Sequence, residues 1–135
     1  MEQPVQVLER LLTERGINPD VHGTDIGFLY LPGGHAFKGE AWADTESAAI
    51  KLWLYHSSLN VEDEKLLQAK LVKVNEKSAM KDAGVRWMRF VFAHNHLGFF
   101  AQLNEREKPF EEGTARLRLD ALLKLMESEL PNLIA

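Results

Sequence analysis

Between Ile26 and His56 the chain alternates apolar and polar residues through three short runs, parted only by Pro32-Gly33-Gly34 and by the stretch 44–47. This constrains the fold more than anything else in the sequence. A parallel crossover needs a dozen or more residues between strands, and these gaps hold three or four. Residues 26–31, 35–43 and 48–56 therefore read as three strands of an antiparallel meander, with period two in place of the helical 3.6.

Helical periodicity flanks this block. Val5, Leu8, Leu11 and Leu12 share one side of a helix expected over residues 3–15, with Pro4 in its first turn and Gly16 placed to end it. Asn60 is positioned to cap a second helix, which carries Val61-Glu62-Asp63-Glu64 in its first turn and Leu67, Leu71 and Val74 along one side. Its end falls between Asn75 and Gly84. A hairpin over residues 85–94 and 99–105 follows, turning near 95–98. A last helix over 114–130 bears Leu119, Leu122, Leu123, Met126 and Leu130, with Pro131 expected to end it. The order α-β-β-β-α-β-β-α predicts one α+β domain over residues 1–135, an antiparallel sheet with helices packed on one face.

That order, at this length, resembles the YbjN and type III secretion chaperone-like family. The segment Leu71-Val72-Lys73-Val74-Asn75-Glu76-Lys77-Ser78 is similar to the leucine-rich, asparagine-containing stretch found there before the last hairpin, and Gly98 and the amphipathic C-terminal helix also fit. The resemblance implies a non-enzymatic protein, commonly a dimer, that holds an unfolded segment of a partner or acts in regulation. With 16 Lys and Arg against 20 Asp and Glu, the net charge of −4 is less acidic than is usual for such chaperones.

Composition narrows the partners. A mildly acidic chain offers no electrostatic case for nucleic acid or an anionic membrane. Its apolar runs fall far short of the ~20 residues that span a bilayer, and Met-Glu-Gln-Pro does not read as a secretion signal. The absence of cysteine excludes disulfides, thiolate metal sites and a cysteine nucleophile. A soluble, cytoplasmic protein without a cofactor is the expectation.

Alternation along the strands gives the sharpest functional inference. Ile50, Leu52 and Leu54 point one way, so Lys51, Trp53 and Tyr55 point the other; Lys38, Glu40 and Trp42 oppose Phe37, Gly39 and Ala41. Met88, Phe90 and Phe92 read as core, leaving Trp87, Arg89 and Val91 outside. Phe99, Ala101 and Leu103 go in, while Phe100, Gln102 and Asn104 go out. Trp42, Trp53, Tyr55, Trp87, Arg89 and Phe100 are thus expected together on the face without helices, as a surface for a protein partner, a peptide segment or a second copy. The same face, or an exposed edge strand, would capture the partner. Aromatic residues also favour strands for their cross-strand packing alone, which leaves a purely structural explanation open. A shallow pocket for a small regulatory molecule, lined by Arg89 and Lys51, is the second function class.

Chemistry-bearing motifs are weak. His94-Asn95-His96 has the alternate spacing of metal ligands but falls at a predicted turn and lacks a third ligand. Pro32-Gly33-Gly34-His35 has no phosphate-loop spacing. His56-Ser57-Ser58 places neighbours on opposite faces of a strand, unlike a nucleophile and its base. Glu62-Asp63-Glu64 and Glu105-Arg106-Glu107-Lys108 read as solvated charge. No residue is expected to be catalytic; zinc binding abolished by His94→Ala or His96→Ala would revive an enzyme reading.

Overall fold

The computed structural model describes residues 4–44, 49–56, 62–77, 81–82, 85–104 and 110–134. Asn60, Ser57, Ser58, the turn residues 45–48, Gly84 and the charged segment 105–108 lie outside them.

Helix α1 (Pro4–Glu14) buries Val7, Leu8, Leu11 and Leu12. It ends as the sequence predicts: Gly16 takes φ +75°, its N–H reaches Thr13 O, and Ile17 N–H reaches Leu12 O, the paired bonds of a Schellman motif. Strand β1 (Asp20–His22) follows, then β2 (Asp25–Tyr30), a short 3₁₀ turn over Pro32–Gly34, β3 (Phe37–Asp44) and β4 (Ala49–His56). The predicted meander is therefore present, preceded by a three-residue strand whose exposed Asp-Val-His has no alternation to announce it.

Helix α2 (Glu64–Asn75) is capped by Asp63, whose carboxylate accepts from Leu66 N–H at 3.0 Å. After it, β5 (Lys81–Asp82) and β6 (Val85–Arg86) form a separate two-stranded ribbon, so the predicted strand from Val85 is broken at Trp87. Strands β7 (Met88–Ala93) and β8 (His96–Gln102) then pair tightly. His94 and Asn95 alone connect them, at φ +52° and +63°; two consecutive positive angles are the type I′ requirement for a two-residue hairpin. The turn thus lies earlier than expected, and Gly98 belongs to the strand.

The sheet order is β1-β2-β3-β4-β8-β7, antiparallel throughout. Helix α3 (Glu112–Leu133) starts two residues before the expected range and runs through Pro131. In the last turn a proline forfeits only one backbone bond, while Leu130 and Leu133 remain buried and Ile134 N–H still reaches Leu130 O at 2.8 Å.

The core lies between helices and one sheet face. Phe37, Phe90 and Phe99 are its largest fully buried side chains, with Phe99 edge-on to Phe37 at 5.3 Å and to Phe90 at 4.3 Å. Gly39 is required here, because a Cβ would stand 2.2 Å from the Phe28 ring that crosses it. Arg10, Glu14, Arg116 and Glu112 link α1 to α3 in a surface ion-pair network, in which the Arg10 hydrogen bond holds the Glu112 carboxyl below its ordinary pKa. Among the described residues no helix is long and apolar enough to cross a membrane.

Candidate functional site

Ile50, Leu52 and Leu54 of β4 are buried against the helices, which turns Lys51, Trp53 and Tyr55 to the opposite face. Register fixes what they meet. Trp53 lies across from Glu40 on one side and Phe100 on the other, and Phe100 in turn faces Arg89. One row along, Tyr55 lies between Lys38 and Gly98, with Val91 beyond; in the other direction Lys51 lies between Trp42 and Gln102.

The aromatic side chains touch one another. Trp53 stacks on Tyr55 with centroids 6.2 Å apart and planes 26° apart, and tilts against Phe100 at 6.4 Å. Tyr55 meets His96 edge-on at 6.1 Å. Gly98 is what lets this ladder lie flat: the Trp53 indole passes over it so closely that a Cβ would fall 2.1 Å from the ring. The ladder remains half-exposed. A cleft of about 340 Å³ opens beside it, lined by Trp53, Tyr55, Val91, Ala93, His94 and His96, and a smaller recess of about 280 Å³ lies between Trp87, Arg89, Phe100 and Gln102.

Of the residues expected to share this face, Trp53, Tyr55 and Phe100 form its centre. Arg89 is exposed on the β7 flank and Trp42 is half-buried on β3. Trp87 departs from expectation. It lies outside the strand, is only 7% exposed and joins the core, with the Arg118 guanidinium 5.2 Å above its ring. Arg118, itself buried on α3, donates to Gln102 O at 2.9 Å, while Gln102 N–H donates to Trp87 O at 2.8 Å. The indole thus stacks with a cation from the helix layer, a partner that no strand alternation reveals. Asn104 also turns inward, because its side-chain oxygen accepts Ile50 N–H at 2.6 Å and tidies the beginning of β4. Sequence reasoning missed His96, since it assigned the residue to the turn; the signal was present in Asn95 and His94, residue types that tolerate positive φ.

The two sheet edges differ. Asn75 of α2 accepts Phe90 N–H and donates to Phe90 O, both at 2.8 Å, and Gln68 donates to Phe92 O at 3.0 Å. The outer edge of β7 is thereby occupied by side chains of α2. At the opposite edge β1 is short and exposed, and Leu29 and Leu31 nearby are large apolar residues facing solvent.

His56 sits at the end of β4, edge-on to Phe37 at 5.2 Å and to His35 at 5.9 Å. Burial, and secondarily electrostatic repulsion between it and His35, push its imidazole below the ordinary pKa. Its Nδ1 is buried and has no hydrogen-bond partner among the described residues. Among those residues no group of three or more His, Asp or Glu side chains is placed to hold a metal ion.

No family model, curated protein or solved structure matches this chain.

Proposed function

We propose that the chain is a non-enzymatic, cytoplasmic protein-binding module, chaperone-like or adaptor-like in the manner of the YbjN and type III secretion chaperone-like proteins, which recognises protein through its outer sheet face. One observation carries this reading: the contiguous Trp53–Tyr55–His96 and Trp53–Phe100 ladder lies on the face opposite the helix-packed core and stays half-exposed. Clustered aromatics ringed by charge provide a large contact area at low side-chain entropy cost, the usual makeup of an interaction hot spot. Capture of an extended segment by adding a strand beyond β7 is disfavoured, since Asn75 and Gln68 occupy that edge.

The test is alanine substitution at Trp53 and at Phe100. Each variant is expected to weaken association, measured both as self-association by sedimentation and as cross-linking to co-purifying protein, with the far-ultraviolet circular dichroism unchanged. Association that is unaltered in both assays contradicts the proposal.

A second reading is supported by the cleft of about 340 Å³ beside the ladder, a size at the lower end of small-molecule sites. It makes the module a regulatory domain for an aromatic metabolite; Arg89 and Lys51, expected to line such a pocket, are not among the described residues lining this cleft. Saturable binding of anilinonaphthalene sulfonate to the monomer, lost on His96→Ala, distinguishes it.

A further inference from the structure

The order of charges across the outer face is self-complementary. Along the central row stand Glu40, Trp53, Phe100 and Arg89, on β3, β4, β8 and β7 in turn. Glu40 and Arg89 are both exposed and make no ion pair among the described residues. Three strand spacings, about 14 Å, separate them, too far for contact within one copy. From this arrangement we infer that the outer face is the interface of a two-fold homodimer, with its axis running along the strands between β4 and β8.

Such an axis exchanges β3 with β7 and β4 with β8. Glu40 then lies opposite Arg89 of the second copy, twice per dimer, and Trp53 lies opposite Phe100. In the neighbouring rows Lys38 meets Val91, Tyr55 meets Gly98 and Lys51 meets Gln102. No row sets like charges against each other. The long stem of Lys38 can cover Val91 while its ammonium reaches water.

An axis along β8 leaves Glu40 of β3 beyond the β7 edge, with no strand opposite it, and two further two-fold arrangements set like charges together. An axis along β4 itself sets Lys51 against its own copy. An axis along the central row, perpendicular to the strands, sets Glu40 against Glu40 and Arg89 against Arg89. Like-charge juxtaposition across an interface is costly and suppresses the wrong geometry. The inferred arrangement keeps the strands of the two sheets within the roughly 30° usual for aligned packing.

The inference rests on the reading of this face as a protein-contacting surface and names its occupant. Sedimentation across a dilution series, with acrylamide quenching of tryptophan on the same samples, tests it in the full chain and in Glu40→Arg, Arg89→Glu and the double variant; the difference from Trp53→Phe isolates the Trp53 signal. Each single swap creates two repulsive pairs and is expected to raise the dimer dissociation constant about tenfold or more, and the double swap to return it to within about threefold of the parent. Trp53 should become quenchable as the dimer dissociates. Self-association that ignores the swaps, or a double variant no better than the singles, overturns the inference. A chain that is monomeric throughout with Trp53 freely quenched overturns it but leaves an open face for another protein. A monomer whose Trp53 is always protected overturns both this inference and the reading beneath it.

Discussion

Gly98 decides the shape of the site. It sits in the middle of β8, where a side chain would normally point out of the sheet, and the Trp53 indole occupies the place that side chain would take. Gly98→Ala sets a methyl group 2.1 Å from the ring. The indole must lift away from the sheet, and overpacking of this kind costs about 1–3 kcal/mol. The expected result is a lower urea midpoint together with a marked rise in Trp53 quenching, whereas an unchanged midpoint and quenching would show that the ring does not lie there. At this scale the sequence was only partly legible. Trp53, Tyr55 and Phe100 followed from alternation, because strands buried on one side must turn every second residue outward. Trp87 did not: the chain leaves strand geometry there, and a buried arginine 31 residues further along the chain, Arg118, supplies its ring partner from α3. Long-range partners of that kind carry no local periodicity.

Among the elements, α2 does two things at once. Leu67, Leu71 and Val74 seat it on the core, and Gln68 and Asn75 reach the backbone of β7. The second task explains an asparagine at the last position of the helix: its amide is the side chain that can both donate to and accept from one strand residue. Asn75→Ala would strip Phe90 of both partners at a part-buried edge, a loss of about 1–3 kcal/mol. Urea unfolding of that variant should show this loss with far-ultraviolet helix content retained, and a stability within a few tenths of a kcal/mol of the parent would contradict the assignment. The main helices and strands were legible because each carries a strong period. The three-residue β1 and the two-residue β5 were not, since so few residues establish no alternation, and β6 was read as the start of the strand that continues in β7. Pro131 was read as a stop, but burial of Leu130 and Leu133 outweighs the single bond it removes at the helix end.

At the scale of the molecule, the two faces of one sheet differ in what covers them. The inner face is filled by Phe28, Phe37, Phe90 and Phe99 against three helices. The outer face keeps its aromatics half-exposed, with Glu40 on one flank and Arg89 on the other. That division was visible in the alternation, yet the pairing of β4 with β8 was not, because strands brought together across α2 are chosen by packing and not by local sequence. Only with that pairing in hand does the row Glu40–Trp53–Phe100–Arg89 exist, and only that row shows the self-complementary order. The most direct measurement is the fluorine spectrum of the protein labelled with 5-fluorotryptophan, recorded from dimer to monomer concentrations, with Trp53→Phe assigning its resonance. With the outer face as the dimer interface, the Trp53 signal shifts on dissociation while that of the core-packed Trp87 stays in place. A Trp53 signal that holds still while the particle halves in mass, or a Trp87 signal that moves in its stead, would contradict it.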